Sequence, residues 1–139
     1  MSFFVLDTSV TMAWCFDDEN NPYADAVLES LEKNTALAPS IWLLEVSNVL
    51  VVAERRNRMT KADSVRFQEL LKELSVQVEY STQQRIFGEN LDLAREQNLS
   101  TYDAAYLDLA MRAGCPIATL DNALRDAAKR CGVALYLDS

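Results

Sequence analysis

Two short apolar runs in this chain each end directly at an aspartate, and this arrangement restricts the fold more than any other feature of the sequence. Phe3 to Leu6 leads into Asp7, and residues 116–120 lead into Asp121. A short, continuous apolar run is typical of a strand buried in a parallel sheet. Because ligands bind outside the carboxyl ends of such strands, both aspartates are predicted to lie at a functional edge of the sheet.

Helical and strand-like patterns alternate along the rest of the chain. Further strands are predicted at residues 36–38, 76–80 and 133–137, which makes about five short strands with about seven helices between them. This alternation predicts an α/β sandwich around a mostly parallel sheet. The length of 139 residues and a hydrophobic content of 50% predict one domain covering residues 1–139.

The composition excludes several classes of function. The chain contains no histidine, which rules out Ser-His-Asp triads, His-ligated zinc and general-base catalysis by imidazole. The net charge of −8 argues against a protein that coats polyanions, although an acidic site can reach phosphates through a divalent cation. We find no secretory signal and no apolar run of bilayer length, so we predict a cytoplasmic protein with no membrane partner. Three widely spaced cysteines are predicted to be reduced core residues: Cys15, Cys115 and Cys131.

Glu45 is the acid that is hardest to explain as ordinary structure. It lies between Leu44 and Val46 in an apolar helix, where a glutamate is rare unless it is paired or bound to a metal. Asn48, one helical turn further on, shares its face and can support the carboxylate. Because almost every face of residues 41–53 is apolar, this helix is also predicted to pack against a second subunit.

Asp7, Asp103 and Asp121 each lie at or near the start of a predicted helix, so each has an alternative interpretation as a helix cap. Four carboxylates at one sheet edge would raise each other's pKa unless a cation lay among them. Ligand sets made only of oxygen favour Mg²⁺ or Mn²⁺, and such an ion activates water and neutralises phosphate. We therefore predict that these three aspartates and Glu45 form a metal-binding catalytic cluster.

Other polar and aromatic groups have simpler interpretations. Asp108 and the acidic residues 17–19 are predicted to be solvated. A basic cluster is a weak candidate for RNA phosphate contacts, with a solvated helix C-terminus as the alternative: Arg55, Arg56, Arg58 and Lys61. Five aromatic residues are predicted to belong to the core rather than to a base-stacking surface: Trp14, Phe16, Trp42, Tyr102 and Tyr106.

Four motifs occur in a characteristic order along nearly the whole chain. They are Leu-Asp-Thr-Ser-Val at residues 6–10, Glu-Val-Ser-Asn-Val-Leu at 45–50, Tyr-Asp-Ala-Ala-Tyr-Leu at 102–107 and Thr-Leu-Asp at 119–121. In this order they resemble the PIN-domain ribonucleases, and among those the VapC toxins of toxin–antitoxin pairs. The resemblance implies a PIN-like three-layer α/β/α sandwich and a Mg²⁺-dependent endoribonuclease, for which Mn²⁺ is a plausible substitute. It also implies a homodimer and an antitoxin whose C-terminal segment blocks the acidic groove.

The resemblance also implies roles for individual residues. Asp7 and Asp103 would be the principal Mg²⁺ ligands, Glu45 would complete the ligand set or orient a metal-bound water, and Asp121 would be the fourth acid. Three polar side chains are predicted to support these ligands: Ser9, Asn48 and Thr119.

Two other functions remain open at this stage. In a phosphoaspartate protein, Asp7 would be the phosphorylated residue. However, Ser9 stands where dehalogenase-like phosphatases carry a second acid, and the acidic pair and late lysine of response regulators are missing. In a catalytically inactive PIN-like module that binds RNA or protein, the acids would be helix caps and a metal would not affect stability.

Overall fold

The computed structural model describes residues 2–16 and 20–138, so the acidic run predicted to be a solvated loop at 17–19 lies outside the described residues. Four strands form one sheet in the order β3-β2-β1-β4: β1 (Phe3–Leu6), β2 (Thr35–Pro39), β3 (Val76–Glu79) and β4 (Ile117–Ala118). All three strand pairings are parallel. The predicted α/β architecture with a mostly parallel sheet is confirmed.

In the described part of the chain, seven helices flank this sheet, in agreement with the predicted number. Six of them are α1 (Thr8–Cys15), α2 (Pro22–Ser30), α3 (Ile41–Arg55), α4 (Lys61–Glu73), α6 (Thr101–Ala113) and α7 (Asn122–Arg130). Between α4 and α6, α5 covers residues 83–97. It comprises a helical turn (Gln83–Arg85), a π-helical segment (Ile86–Asn90) and an α-helix (Leu91–Gln97).

Local sequence signals account for the helix ends. Thr60 begins α4 with a reciprocal capping box, in which Thr60 and Asp63 each satisfy the other's backbone N–H group. Ser100 begins α6 by accepting a hydrogen bond of 3.0 Å from the backbone N–H of Asp103. Gly114 ends α6 with a φ of 64°, a left-handed conformation that glycine adopts without steric cost.

The core lies between the sheet and the helices on its two faces. Phe4, Val5 and Leu6 of the central strand β1 are fully buried, as expected for a strand covered on both faces. Helix α6 packs against β1 and β2 and has the longest run of buried residues: Ala104, Tyr106, Leu107, Asp108, Leu109 and Ala110. The three cysteines are partly buried and pack against this core, as predicted, and none of them forms a disulfide bond in the described part of the chain. Among the described residues, no helix is long and apolar enough to cross a membrane.

The strand predicted at residues 133–137 is wrong, so the described sheet has four strands and not five. Ile117 and Leu135 form an isolated parallel bridge, in which Tyr136 N donates to Ile117 O at 2.8 Å. Leu137 has a φ of 57°, and this left-handed conformation ends the extended segment. The Tyr136 ring stacks on Phe4 at a centroid distance of 3.8 Å, which ties the C-terminal segment to the core.

The prediction that Asp108 is solvated is also wrong. Asp108 is buried on α6, and its two carboxylate oxygens accept hydrogen bonds from Arg85 Nε at 2.8 Å and Nη2 at 2.9 Å. Arg112, one turn further along α6, donates to the same carboxylate at 3.2 Å. The residue does lie on a different face from Asp103, but α5 covers that face and supplies Arg85 as the counter-ion.

Candidate active site

The four acids predicted to form a cluster lie at the carboxyl edge of the sheet. Asp7 follows β1, Asp121 begins α7 after β4, Glu45 lies near the start of α3 after β2, and Asp103 lies in the first turn of α6. The chain adds β2 and β3 on one side of β1 and β4 on the other, so Asp7 stands at the point where the strand order reverses. This is the position at which parallel α/β sheets bind ligands.

Asp7 is the most buried of the four acids, with 5% of its surface exposed. Its Oδ2 atom accepts hydrogen bonds from Ser9 Oγ at 2.6 Å and from Thr119 Oγ1 at 2.8 Å. Among the described residues, its side chain accepts no hydrogen bond from a backbone N–H group of α1, so the carboxylate does not act as a helix cap. Two of the three predicted supporting residues therefore contact this aspartate directly.

Backbone N–H groups orient the two hydroxyls that contact Asp7. Ser9 Oγ accepts from Leu120 N at 2.9 Å, and Thr119 Oγ1 accepts from Asp121 N at 3.0 Å. A hydroxyl has one proton, and these amides occupy acceptor positions, so each hydroxyl proton is directed to Asp7. Within the described residues, both hydroxyl bonds go to Oδ2, which leaves Oδ1 as the oxygen available to a ligand.

Glu45 is half-buried, and its Oε1 atom is also held by two hydroxyls. Tyr106 donates its phenol O–H at 2.5 Å, and Thr8 donates its Oγ1–H at 3.0 Å. Asn48 was predicted to support Glu45, but among the described residues no hydrogen bond joins the two. Asn48 instead lines an exposed depression together with Phe16 and Arg58.

The helix-cap interpretation holds in part for Asp121 and does not hold for the carboxylate of Asp103. Asp121 Oδ1 accepts from Leu124 N at 3.1 Å, so one of its oxygens does cap α7. Asp103 donates its own backbone N–H to Ser100 Oγ, but in the described part of the chain its carboxylate does not complete a reciprocal capping box as Asp63 does on α4. The Asp103 carboxylate is thus not used by the helix start.

The protonation equilibria of Asp7 and Asp103 reflect burial and mutual repulsion. Burial raises the pKa of Asp7 above its usual range; the hydroxyls of Ser9 and Thr119 oppose this rise, and the charges of Glu45 and Asp121 add to it. Burial raises the pKa of Asp103 to about 6, and repulsion from the other three acids contributes. Burial and the charges of neighbouring acids therefore disfavour the ionised forms of Asp7 and Asp103.

The model of the PIN domain family matches residues 4–130 of this chain. The chain belongs to the PIN-domain family. Membership removes the basis for the phosphoaspartate alternative, and PIN domains are generally nucleases, most of which use divalent metal ions. No curated protein sequence matches the chain.

Solved structures share the fold of this PIN domain. PAE2754 from Pyrobaculum aerophilum is similar with a TM-score of 0.69 and 25% identity, over 91% of this chain and 87% of that chain. The structure of VapBC2 from Rickettsia felis bound to a promoter DNA fragment has a TM-score of 0.66 and 14% identity, over 97% of each chain. FitAcB from Neisseria gonorrhoeae has a TM-score of 0.64 and 18% identity, over 98% of this chain and 96% of that chain.

The donors of this PIN domain fit a hard divalent cation by their chemistry. All four are carboxylates, histidine is absent, and Mg²⁺ and Mn²⁺ prefer oxygen ligands. Burial is the main cause of the raised pKa values of Asp7 and Asp103, and a cation would relieve the repulsion that adds to it. In the described conformation, however, no three acidic or cysteine side chains are arranged so that they hold a metal ion together.

Two apolar surfaces of the PIN domain lie beside α3. The first, which we call the apolar patch, is an exposed groove that runs from the start of α3 to the start of α6: Leu43, Leu44, Tyr80, Ile86 and Tyr102. Tyr102 was predicted to belong to the core, but it is 59% exposed and lies in the first turn of α6. The second surface, the α3–α4 cleft, is lined by apolar residues: Trp42, Val46, Leu50, Leu71, Leu74 and Val76.

The predicted basic cluster lies on the surface after α3. Arg55, Arg56, Arg58 and Lys61 are all exposed. The Arg58 guanidinium lies over the Phe16 ring, 3.8 Å from its centroid. Phosphate binding by this cluster stays a prediction.

Sequence reasoning missed Thr8 and Tyr106, which hold Glu45. Thr8 lies in the motif at residues 6–10 with no predicted role in the site, and Tyr106 was predicted only to be a core aromatic residue, which it is. One signal was available, since Tyr106 follows Asp103 by three residues and therefore shares its side of α6.

Proposed function

We propose that this PIN domain is a Mg²⁺-dependent endoribonuclease that hydrolyses RNA phosphodiester bonds, with Mn²⁺ as a plausible substitute. The observation that carries the proposal is the convergence of Asp7, Glu45, Asp103 and Asp121 at the reversal point of the sheet. Burial raises the pKa of Asp103 to about 6, and the charges of the other three acids contribute to this rise. Without a counter-ion, ionised carboxylates gathered in one place repel each other, which is unfavourable. Binding of a cation would remove this repulsion, and it gives the cluster a function.

Each side chain has a defined part in this proposal. Asp7 and Asp103 are the principal ligands, Glu45 completes the set or orients water, and Asp121 contributes the oxygen that does not cap α7. When bound, a divalent cation supplies activation of water and neutralisation of the phosphate charge. Two hydroxyls from Ser9 and Thr119 hold Asp7 in place. The chemistry needs no histidine, in agreement with the composition.

RNA cleavage tests the proposal directly. Purified protein is incubated with total RNA and with tRNA, in EDTA and in millimolar MgCl₂ or MnCl₂, and the 5′ ends of the fragments are mapped. We expect metal-dependent cleavage that is lost in Asp7→Asn and Asp103→Asn and kept in Asp126→Asn, which changes an exposed acid of α7 outside the cluster. Full activity in excess EDTA, or in either cluster variant, would contradict the proposal.

We further propose that the protein is the toxin of a toxin–antitoxin pair and acts in the cytoplasm. The support is the fold shared with VapBC2 from Rickettsia felis and with a toxin–antitoxin complex from Klebsiella pneumoniae, which has 19% identity and a TM-score of 0.61 over 85% of this chain. The α3–α4 cleft has a largely apolar lining on which an antitoxin segment can pack. Induced expression in a bacterial host, with wild type compared against Asp103→Asn, tests toxicity.

A homodimer is the third part of the proposal. The apolar patch exposes several large side chains, including 68% of Leu44, and such a continuous surface is typical of a protein interface. A second copy of the chain is the occupant that we propose for it.

A catalytically inactive module that binds RNA or protein is the second candidate. One observation favours it: within the described residues the acids are not arranged as a metal-binding group, and Asp121 does cap a helix. This candidate predicts that neither Mg²⁺ nor Mn²⁺ changes the stability of the protein.

A further inference from the structure

We propose that Tyr106 is a positioning residue for Glu45: its buried phenol holds one oxygen of the carboxylate and thereby leaves the other for a cation. The proposal rests on the metal-dependent function proposed above, because the orientation of Glu45 matters to that function only if the cluster binds a cation. In this proposal Tyr106 acts through Glu45 and is not itself a ligand of the cation.

The phenol of Tyr106 makes a strong contact in a site with little freedom. The side chain is fully buried, and its O–H donates to Glu45 Oε1 at 2.5 Å. A buried tyrosine needs a partner for its hydroxyl, and a hydrogen bond to an ionised carboxylate is stronger than one between neutral groups. Because the core fixes the ring, the hydrogen bond restricts the rotation of the Glu45 carboxylate.

Thr8 contacts both members of this pair. Its Oγ1 atom lies 3.0 Å from Glu45 Oε1 and 2.6 Å from the Tyr106 oxygen, so its single proton serves one of these two acceptors. In either case Tyr106 donates to Oε1, and within the described residues both hydroxyls lie within hydrogen-bond distance of Oε1 and not of Oε2. The atom left for a ligand is Oε2.

Asp7 shows the same arrangement as Glu45. Two hydroxyls hold Asp7 Oδ2, just as two hydroxyls hold Glu45 Oε1. Partners that hydrogen-bond to a metal ligand orient it and strengthen the binding of the metal. Helix α6 therefore contributes twice to the cluster, with the Asp103 carboxylate as a candidate ligand and with Tyr106 three residues later as the group that orients Glu45.

Isothermal titration calorimetry with MnCl₂ on wild type, Tyr106→Phe and Tyr136→Phe tests the proposal. Tyr136 is a matched control, because its buried phenol also has two partners, donating to Ser30 Oγ at 2.8 Å and accepting from Asn34 Nδ2 at 2.8 Å, away from the acids. Thermal melts in EDTA measure how far the loss of each hydroxyl lowers the melting temperature. We expect Tyr106→Phe to raise the Kd for Mn²⁺ about tenfold, the lower end of the effect seen when such a partner is removed. Tyr136→Phe should leave the Kd unchanged.

The outcomes separate this proposal from the function on which it rests. If wild type binds Mn²⁺ and Tyr106→Phe binds it equally well, the positioning role is overturned and the proposed function stands. If wild type binds no Mn²⁺, both are overturned. Should Tyr106→Phe fail to fold, Thr8→Val removes the other hydroxyl on Oε1. A weaker Mn²⁺ affinity in that variant would support the proposal, and an unchanged one would overturn it.

Discussion

Thr119, the first residue after β4, donates a hydrogen bond of 2.8 Å to Oδ2 of Asp7, the first residue after β1. The two residues are 112 positions apart in sequence, and the parallel pairing of β1 with β4 brings them together. Thr119 is fully buried, and its oxygen also accepts from the backbone of Asp121. One hydroxyl thus connects the first and the last acid of the cluster.

Thr119→Val replaces this hydroxyl by a methyl group of similar size. We expect the free energy of unfolding to fall by about 1–3 kcal/mol, because a buried carboxylate loses a donor and a backbone N–H loses its acceptor. Mn²⁺ affinity should fall as well, because Asp7 is then held less firmly. Urea unfolding and calorimetry measure the two effects. Ser64→Ala is the control, because it removes a buried hydroxyl that donates to Glu54 at 2.6 Å outside the cluster. It should lower stability and leave the metal affinity unchanged, and the idea fails if Thr119→Val behaves in the same way.

The raised pKa of Asp103 predicts a pH-dependent stability in EDTA. Its pKa is about 6 in the folded protein and 3.8 as the reference value, so between these pH values the folded state binds more protons than the unfolded state. Stability should therefore decrease as the pH rises from about 4 to 6. Asp103→Asn removes the repelling charge, so its melting temperature should exceed that of wild type at pH 7, and the gap should close near pH 4. Parallel melting curves of the two proteins across this range would contradict the prediction.

Asp108→Asn should destabilise the protein without affecting the cluster. Although burial opposes it, hydrogen bonds from Arg85 and Arg112 hold the pKa of Asp108 below its usual range. The neutral amide would remove the charge from an ion pair whose aspartate is buried. We expect the free energy of unfolding, measured with urea, to fall by about 2–3 kcal/mol. Asp92→Asn is the control, because its pair with Arg95 is exposed on both sides and contributes little. Equal stabilities of the two variants would show that the Asp108 network does not stabilise the fold.

Metal addition should stabilise wild type and not Asp103→Asn. A ligand that binds only the folded state at one hundred times its Kd adds about 2.7 kcal/mol to the free energy of unfolding. Thermal melts in EDTA, in MgCl₂ and in MnCl₂ measure the shift, and CaCl₂ shows whether the site selects for ion size. If wild type and Asp103→Asn respond alike, the cation binds elsewhere on this acidic protein, and the inactive-module alternative gains support.

Leu44→Glu should disrupt the proposed homodimer. Leu44 is 68% exposed in the apolar patch, so the substitution introduces a charge into the interface without disturbing the core. We expect light scattering coupled to size exclusion to give a dimer mass for wild type and a monomer mass for the variant. Val65→Glu, at an exposed position on α4 away from the patch, should remain dimeric. A monomeric wild type at micromolar concentration would exclude the patch as a stable self-interface.

Local patterns were sufficient for most of the secondary structure and for the choice of acids. The run from Phe3 to Leu6 predicts the central strand, and the signals at Thr60, Ser100 and Gly114 predict helix ends, because each effect operates over a few neighbouring residues. Glu45 stood out for the same reason, since a carboxylate among apolar neighbours is costly wherever the helix packs.

Tertiary structure decided which polar groups are paired and where the sheet ends. Asp108 is solvated or buried depending on whether α5 brings Arg85 over it, and no local pattern contains that information. The predicted final strand does not form, because the left-handed conformation of Leu137 turns the chain away after a single bridge. Likewise, the sequence alone determined that four acids lie at strand ends or helix starts. Only the packing of α1, α3 and α6 decided that Thr8 and Tyr106 hold Glu45, because a hydrogen bond depends on distances set by the whole core.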